Sequence, residues 1–448
     1  MKDKTRNKTS PPEALRIIVA VNSGKTLDEK RLCDVWVSGF GGSLSSSQES
    51  DGTLAFTWIG MDAVKLIAEG ERGVLDKHVR NCGGDALLEI LNSEGECYYQ
   101  FVPKMHFAGG TPIKVVGKTM MEQAAPQVDI LLLSVTEVER DAILAVMHPW
   151  PGLDVIIEGA ISETTYRFGR FGRYRAAHVE STMGTQGRHG VTLKARAALA
   201  ELGPKAMLIL GIAFGVDRKK QRLGDVIVAE TVQPYAYERV GTLKVIPRGT
   251  EISCGIDLSE RFRTRRRGWE AHCGRRKVEV FQGQMLSGPK LIDDEKFRDA
   301  LVLRYPNAKG GEMEGEGGYS AAEQARIQTI LIKSICDWAD GHKNDRAQSF
   351  AASTAVSLAE HVLSQPDVLD VVGALDILAL ADGVQTTRSD SLTDKGDRGY
   401  ASKPGSENAP DISHANQQVT VSDSSHLHGD VTQIGNVTGD VHIGKKRE

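Results

Sequence analysis

A chain of 448 residues is too long for one ordinary domain and predicts two or three. Its 40% apolar and 25% charged residues are the proportions of a soluble globular protein, and a net charge of −4 gives no reason to expect a nucleic-acid or membrane partner. Six cysteines (Cys33, Cys82, Cys97, Cys254, Cys273 and Cys336) lie far apart with no CxxC pair, which argues for buried free thiols rather than a disulfide framework or structural zinc.

The opening stretch, MKDKTRNKTSPPEA, is polar with no apolar core and does not read as a secretory signal. The longest apolar runs, at 130–133 and 206–216, fall well short of the ~20 residues that cross a bilayer, so the expected location is cytoplasmic. Residues 1–12 read as a disordered leader and 13–120 as a small α/β domain of unknown role. Within it, a β-branched run at 17–21, an alternation at 53–59 and a stretch at 96–102 predict strands, while 61–68 and 85–91 suit short helices. Asn22-Ser23-Gly24-Lys25-Thr26 is reminiscent of a phosphate-cradling loop, but the glycine that pattern needs five positions before Gly24 is Val19. An ordinary strand-to-helix turn is the expectation there.

From 128 the texture changes to that of a parallel sheet covered on both faces: 128–135 is a nearly unbroken apolar run, and 137–147 carries Val138, Ala142, Ala145 and Val146 on one helical face. Strands are predicted at 176–181, 206–211, 224–232, 277–285 and 329–334, and helices at 189–202, 294–305, 319–328 and 347–363. This alternation over 126–365 predicts an α/β three-layer sandwich with a mixed central sheet. Residues 366–382 suit one amphipathic helix with Pro366 in its first turn, and 383–415 a flexible linker. In 416–448, HGDVTQIGN and TGDVHIGKK are near-copies, which suits a β-repeat stacking on other copies.

Three carboxylates fall where strands hand over to helices or loops: Glu139 after the first strand, Glu314 before the helix at 319–328, and Asp337 after the strand at 329–334. Ligands of open α/β sheets gather outside the carboxyl ends of strands. Each alone reads more simply as a surface group satisfying a helix terminus.

Taken together, the segments VDILLLSVTEVERDAI (128–143), GIAFGVDRKKQRLGDVIVAE (211–230), SGPKLI (287–292), GEMEG (311–315) and SICDWAD (334–340) resemble the nucleoside phosphorylase/methylthioadenosine–adenosylhomocysteine nucleosidase family over 126–365. The resemblance implies cleavage of a purine N-glycosidic bond without metal or cofactor, in a homo-oligomer. It casts Asp337 as the acid toward the purine and Glu139 as the base for water. Glu314 would hold the ribose hydroxyls with Met313 packed on the sugar. Leu291 and Ile292 would line the purine pocket, and Ala213 and Phe214 would belong to the glycine-rich turn. A carboxylate at 139 would repel phosphate, which favours hydrolysis releasing adenine over phosphorolysis, although Arg140 next door keeps phosphorolysis open.

Departures from the family pattern carry their own expectations. Phe214 replaces a glycine and would narrow the pocket, Gly315, Gly317 and Gly318 would loosen a helix start, and Cys336 in place of serine would weaken the hold on Asp337. Arg167, Arg170, Arg173 and Arg175, with the RKKQR run at 218–222, read as solvated loop charge or as recognition of a phosphorylated adenosine. The segment QIGNVTGDVHIG (433–444) resembles bacterial amyloid signalling motifs, which would make the chain a clustered defence effector recruited by a receptor or by self-assembly. A catalytically silent nucleoside-binding sensor or scaffold is the reading from a different class.

Overall fold

The computed structural model describes residues 13–20, 27–40, 42–48, 54–60, 86–102, 105, 107, 110–241, 245–274, 276–341 and 345–378. The chain divides into two units, Met1–Leu392 and Thr393–Glu448, and every described residue belongs to the first. The leader, the turn at 22–26, the helix expected at 61–68, the linker and the repeat tail lie outside the described residues.

The first sheet is antiparallel and five-stranded. Its strands are β1 (Glu13–Ala20), β2 (Ser43–Gln48), β3 (Leu54–Gly60), β4 (Ala86–Leu91) and β5 (Cys97–Gln100), in the order β2-β3-β1-β4-β5, and helix α1 (Glu29–Phe40) joins β1 to β2. Leu15, Ile17 and Val19 alternate inward from β1 and meet Phe56, Trp58 and Ile90 in a core of their own. The helix expected at 85–91 is strand β4. Paired to both β1 and β5, it has its backbone groups satisfied across the sheet, and pairing of this kind overrides the propensity of so short a segment.

The second sheet has eleven strands. In chain order these are β6 (Ile113–Val115), β7 (Ile130–Ser134), β8 (Ile156–Ile161), β9 (Thr164–Phe171), β10 (Tyr174–Glu180), β11 (Ala206–Gly215) and β12 (Val226–Pro234), then β15 (Ile252–Ser253), β18 (Val280–Ser287), β19 (Ala308–Glu312) and β20 (Gln328–Asp337). Two small hairpins, β13 (Glu238–Val240) with β14 (Val245–Pro247) and β16 (His272–Cys273) with β17 (Arg276–Lys277), stand apart from it. Parallel β10, β7, β11 and β20 form the centre, joined to antiparallel neighbours β9, β12 and β19, so the sheet is mixed.

The remaining helices are α2 (Lys118–Ala124), α3 (Glu137–Val146), α4 (Val191–Leu202), α5 (Ile256–Thr264), α6 (Glu295–Arg304), α7 (Gly315–Ala325) and α8 (Asp345–Leu363). Helices α3 and α8 pack on each other on one face, and α4 and α7 pack on each other on the opposite face. Alternation along β20 shows the two sides: Ser334 bonds Thr354 of α8, while Lys333 turns to the start of α7. This is the expected three-layer α/β sandwich, and the unbroken burial of β7 follows from being covered twice.

Three local expectations are corrected. The arginine-rich stretch from Tyr166 is a β-hairpin, β9 and β10, rather than a loop: Tyr166 and Phe168 point into the core while Arg167 pairs with Glu158 and Arg173 with Asp376. The glycines at 315, 317 and 318 lie inside α7 and do not loosen it. A side chain at 317 would press on Thr192 of α4, and one at 318 on Ile209 of β11, so they let these layers close up. The helix expected at 366–382 is not formed across the described part of that segment, which instead runs through a 3-10 turn at Asp370–Val372. Its backbone N–H groups find side-chain acceptors, Leu369 on the Tyr174 hydroxyl and Leu375 on Asp129, which a continuous helix would forgo.

Among the described residues the five cysteines are free, and all but Cys33 are buried. Among those residues, too, no helix is long and apolar enough to cross a membrane, and no group of three His, Cys, Asp or Glu is placed to hold a metal ion.

Candidate active site

Helix α3 begins with Thr136 as its cap, and Glu139 completes a capping box by reaching back. One carboxylate oxygen of Glu139 accepts from the backbone N–H of Val135 and of Thr136, both at 2.9 Å. The other accepts from Ile212 N–H at 2.8 Å and from the Lys333 ammonium at 3.3 Å. Glu139 is therefore a buried, fully bonded carboxylate, and the reading of a lone glutamate on a first helical turn as a surface group does not apply to it.

Glu314 sits at the N-terminal end of α7, buried, with one oxygen 3.2 Å from Lys333 Nζ and the other facing the N–H of Gly184 at 3.5 Å. Lys333 itself is 0% exposed and bridges the two glutamates from the middle of β20. Burial pulls the Lys333 ammonium toward deprotonation, but Glu139, Glu314 and Glu312 outweigh that and push its pKa upward, so it stays charged. Asp337 ends the same strand. One of its oxygens accepts from Ala339 N–H at 2.9 Å, and the Cys336 thiol donates to the other at 3.2 Å. The thiol thus does engage the carboxylate it was expected to hold only weakly.

A cavity of about 180 Å³ opens at these strand ends. Glu139, Ala213, Phe214, Leu291, Ile292, Met313, Glu314 and Asp337 all line it, together with Glu312, Lys290, Met183 and Cys336. Phe214 fits because its ring packs against Gly311, where any Cβ would collide with it. Leu291 stands 57% exposed at the mouth while Ile292 is buried. A larger open groove of about 770 Å³, by Tyr237, Arg248 and Arg326, contains none of the eight.

Arg140 is not among the lining residues and is paired with Asp141 and Glu180. Arg218 and Arg222 are likewise engaged, with Asp340 and Glu89, and neither they nor the hairpin arginines face the cavity. Two participants escaped the sequence reading. Lys333 was visible as the one charge in an apolar strand, ILIKSI, and Glu312 as the other acid of GEMEG.

Gly211 of β11 faces this cluster, and a Cβ there would overlap the Glu139 carboxylate and crowd Lys333. Glu139 could yield only by giving up its hydrogen bonds. Gly211→Ala is accordingly expected to cost about 100-fold or more in turnover while the fold persists, read by steady-state kinetics beside circular dichroism.

Glu312 differs from its neighbours. One oxygen takes the N–H groups of Glu314 and Gly315, both at 2.8 Å, while the other is buried without a partner. Burial, and then the charge of Glu314, push its pKa up to about 8. A carboxyl raised in this way holds its proton in the folded chain at pH values where the unfolded chain has lost it. Its contribution to stability is thus fully present below about pH 4.5 and is lost as pH rises toward 8. Glu312→Gln should remove that component, and melting temperatures across pH 5–9 should then fall less steeply than in the parent.

A mixed sheet between two helical layers, with carboxylates gathered at its strand ends, puts this cavity where ligands of open α/β sheets bind. The chain belongs to the phosphorylase superfamily, whose sequence model matches residues 129–365. It is 30% identical over 264 residues to a death domain-containing ATP nucleosidase of Amphimedon queenslandica, covering 54% of this chain and 48% of that one. It is 29% identical over 182 residues to the ATP nucleosidase Cap17 of Escherichia coli (strain KTE188), covering 35% of each. The chain thus spans about half or less of the length of the curated relatives it matches. Among solved structures, the 5′-methylthioadenosine/S-adenosylhomocysteine nucleosidase of Neisseria meningitidis aligns at 16% identity, with a TM-score of 0.44, over 53% of this chain and 98% of that one.

Proposed function

We propose that this chain hydrolyses the N-glycosidic bond of an adenine nucleoside or nucleotide and releases adenine. The observation that carries the reading is the meeting of Glu139, Glu314 and Asp337 around one cavity, the two glutamates tied to a single buried ammonium. Such bonds break through a ribose that takes on positive charge, which buried carboxylates stabilise. Asp337 gives its proton to the departing purine, Glu314 holds the ribose hydroxyls, and Met313 packs on the sugar. Water adds to the anomeric carbon and passes its proton to Glu139. Because the four acceptor positions of Glu139 are already filled, it must exchange one hydrogen bond for the water, and the Lys333 contact at 3.3 Å is the longest of the four.

Hydrolysis is favoured over phosphorolysis because Glu139 and Glu314, the two carboxylates tied to Lys333, line the cavity and Arg140 is engaged elsewhere, which leaves a phosphate dianion poorly served. A nucleotide substrate is supported by the ATP nucleosidase names of the two matched relatives, and Lys290 places a cation on the cavity wall.

Purified protein incubated with adenosine, methylthioadenosine, adenosylhomocysteine, AMP and ATP, with and without phosphate, tests this. Phosphate-independent adenine is expected. Phosphate dependence would make it a phosphorylase, and no adenine from any substrate would leave a silent binding module.

The wider setting proposed is a cytoplasmic homo-oligomer clustered through residues 416–448, acting in bacterial defence. The motif resemblance supports this, and fibres that persist after deletion of 416–448 would remove it.

A further inference from the structure

We propose that Arg218 couples the five-stranded N-terminal sheet to the loop bearing Asp337, so that this sheet governs the competence of the site; the inference rests on the reading of Asp337 as the acid. Arg218 lies in the turn between β11 and β12 and faces two ways. Its Nη1 donates to the carbonyl of Cys97 on β5 at 3.2 Å, and the N–H of Cys97 returns a bond to the carbonyl of Arg218 at 3.2 Å. Its Nη2 donates to Asp340, while the guanidinium lies 5.1 Å from the centre of the Trp338 ring. One side chain therefore touches the edge strand of the first sheet and two residues of the four-residue segment that starts at Asp337.

That segment is strained. Ala339 has φ of 52°, a left-handed conformation that a non-glycine residue keeps only when its surroundings impose it. The strained peptide has a use, because its N–H is the group bonded to Asp337. Arg298, donating to the carbonyl of Trp338 at 2.6 Å, fixes the middle of the loop, and Arg218 fixes its far end. Should β5 shift, Arg218 follows Cys97, Asp340 is released, and Ala339 can relax to a right-handed conformation that withdraws its N–H from Asp337. The acid then loses its orientation although no residue of the cavity has changed.

The same contact surface is pinned independently. Gln100 of β5 exchanges two hydrogen bonds with the backbone of Leu223, at 2.8 and 3.0 Å, and Arg222 pairs with Glu89 of β4 at 2.9 Å. These contacts set the seat of β5 without touching the acid loop, which makes them a separate handle on the proposal.

The test uses the full chain with Arg218→Met, Arg218→Lys, Gln100→Ala and the double variant Arg218→Met/Gln100→Ala. Adenine release is measured beside amide hydrogen exchange of a peptide covering residues 336–341. Arg218→Met is expected to lower kcat by about tenfold or more with KM within about twofold, and to speed exchange at 336–341. Arg218→Lys, which keeps the charge, should recover part of both effects. Gln100→Ala should shift both readouts in the same direction and add little to Arg218→Met in the double variant. Unchanged kcat and exchange in Arg218→Met overturn the proposal, as does Gln100→Ala indistinguishable from the parent in both. Should the parent release no adenine, the reading of the site fails, and the exchange data alone then decide the coupling by the same outcomes.

Discussion

Asp337→Asn is expected to cut adenine release about 10³-fold while leaving the melting temperature close to that of the parent. An asparagine keeps the shape and still accepts from the Ala339 N–H through its carbonyl, so the loop holds. The amide that replaces the other oxygen has no acidic proton to give a purine. Full activity in this variant, measured as free adenine by chromatography, would refute the assignment of the acid.

Lys333→Met is the second large effect, and it falls on stability and turnover together. The ammonium is wholly enclosed and its two partners are nearly so, with Glu139 at 2% and Glu314 at 7% side-chain exposure. Removing one partner from a buried ionic group strands the others, at a cost of about 3–5 kcal/mol. Two glutamates left facing each other would draw in protons or water, and a protonated Glu139 is no base. Urea melts should show the loss of stability, and kcat should fall with it. Lys333→Arg keeps the charge in a longer, forked group and should retain more of both quantities than Lys333→Met. Equal behaviour of the two variants would count against an ionic role.

The parts of this architecture that could be read beforehand share a physical cause. Strands β7, β11 and β20 are covered on both faces, so their sequences are largely apolar, with Lys333 the charge inside β20, and a sheet of that kind announces itself. Strand β10 was foreseen at 176–181, but β9 and the turn after it stayed hidden because arginines alternate with Tyr166 and Phe168, and only the tertiary partners Glu158 and Asp376 explain charges so placed. The eight residues named from sequence converge on one cavity because each flanks the end of a strand. Lys333 stood out as a charge in an apolar strand, but its role could not be read there, because it comes from two glutamates distant in sequence. The Thr136-x-x-Glu139 spacing was a legible capping box, and it could have warned that Glu139 is held by backbone as much as it is offered to a substrate.

Glu139 hangs from a helix on one face of the sheet and Glu314 from a helix on the other, and one ammonium in the strand between them holds both. The two outer layers are thereby fastened through the sheet at the very point where chemistry is proposed to occur. Heat that loosens either layer would be felt there first, so inactivation should set in at temperatures where most of the backbone is still folded.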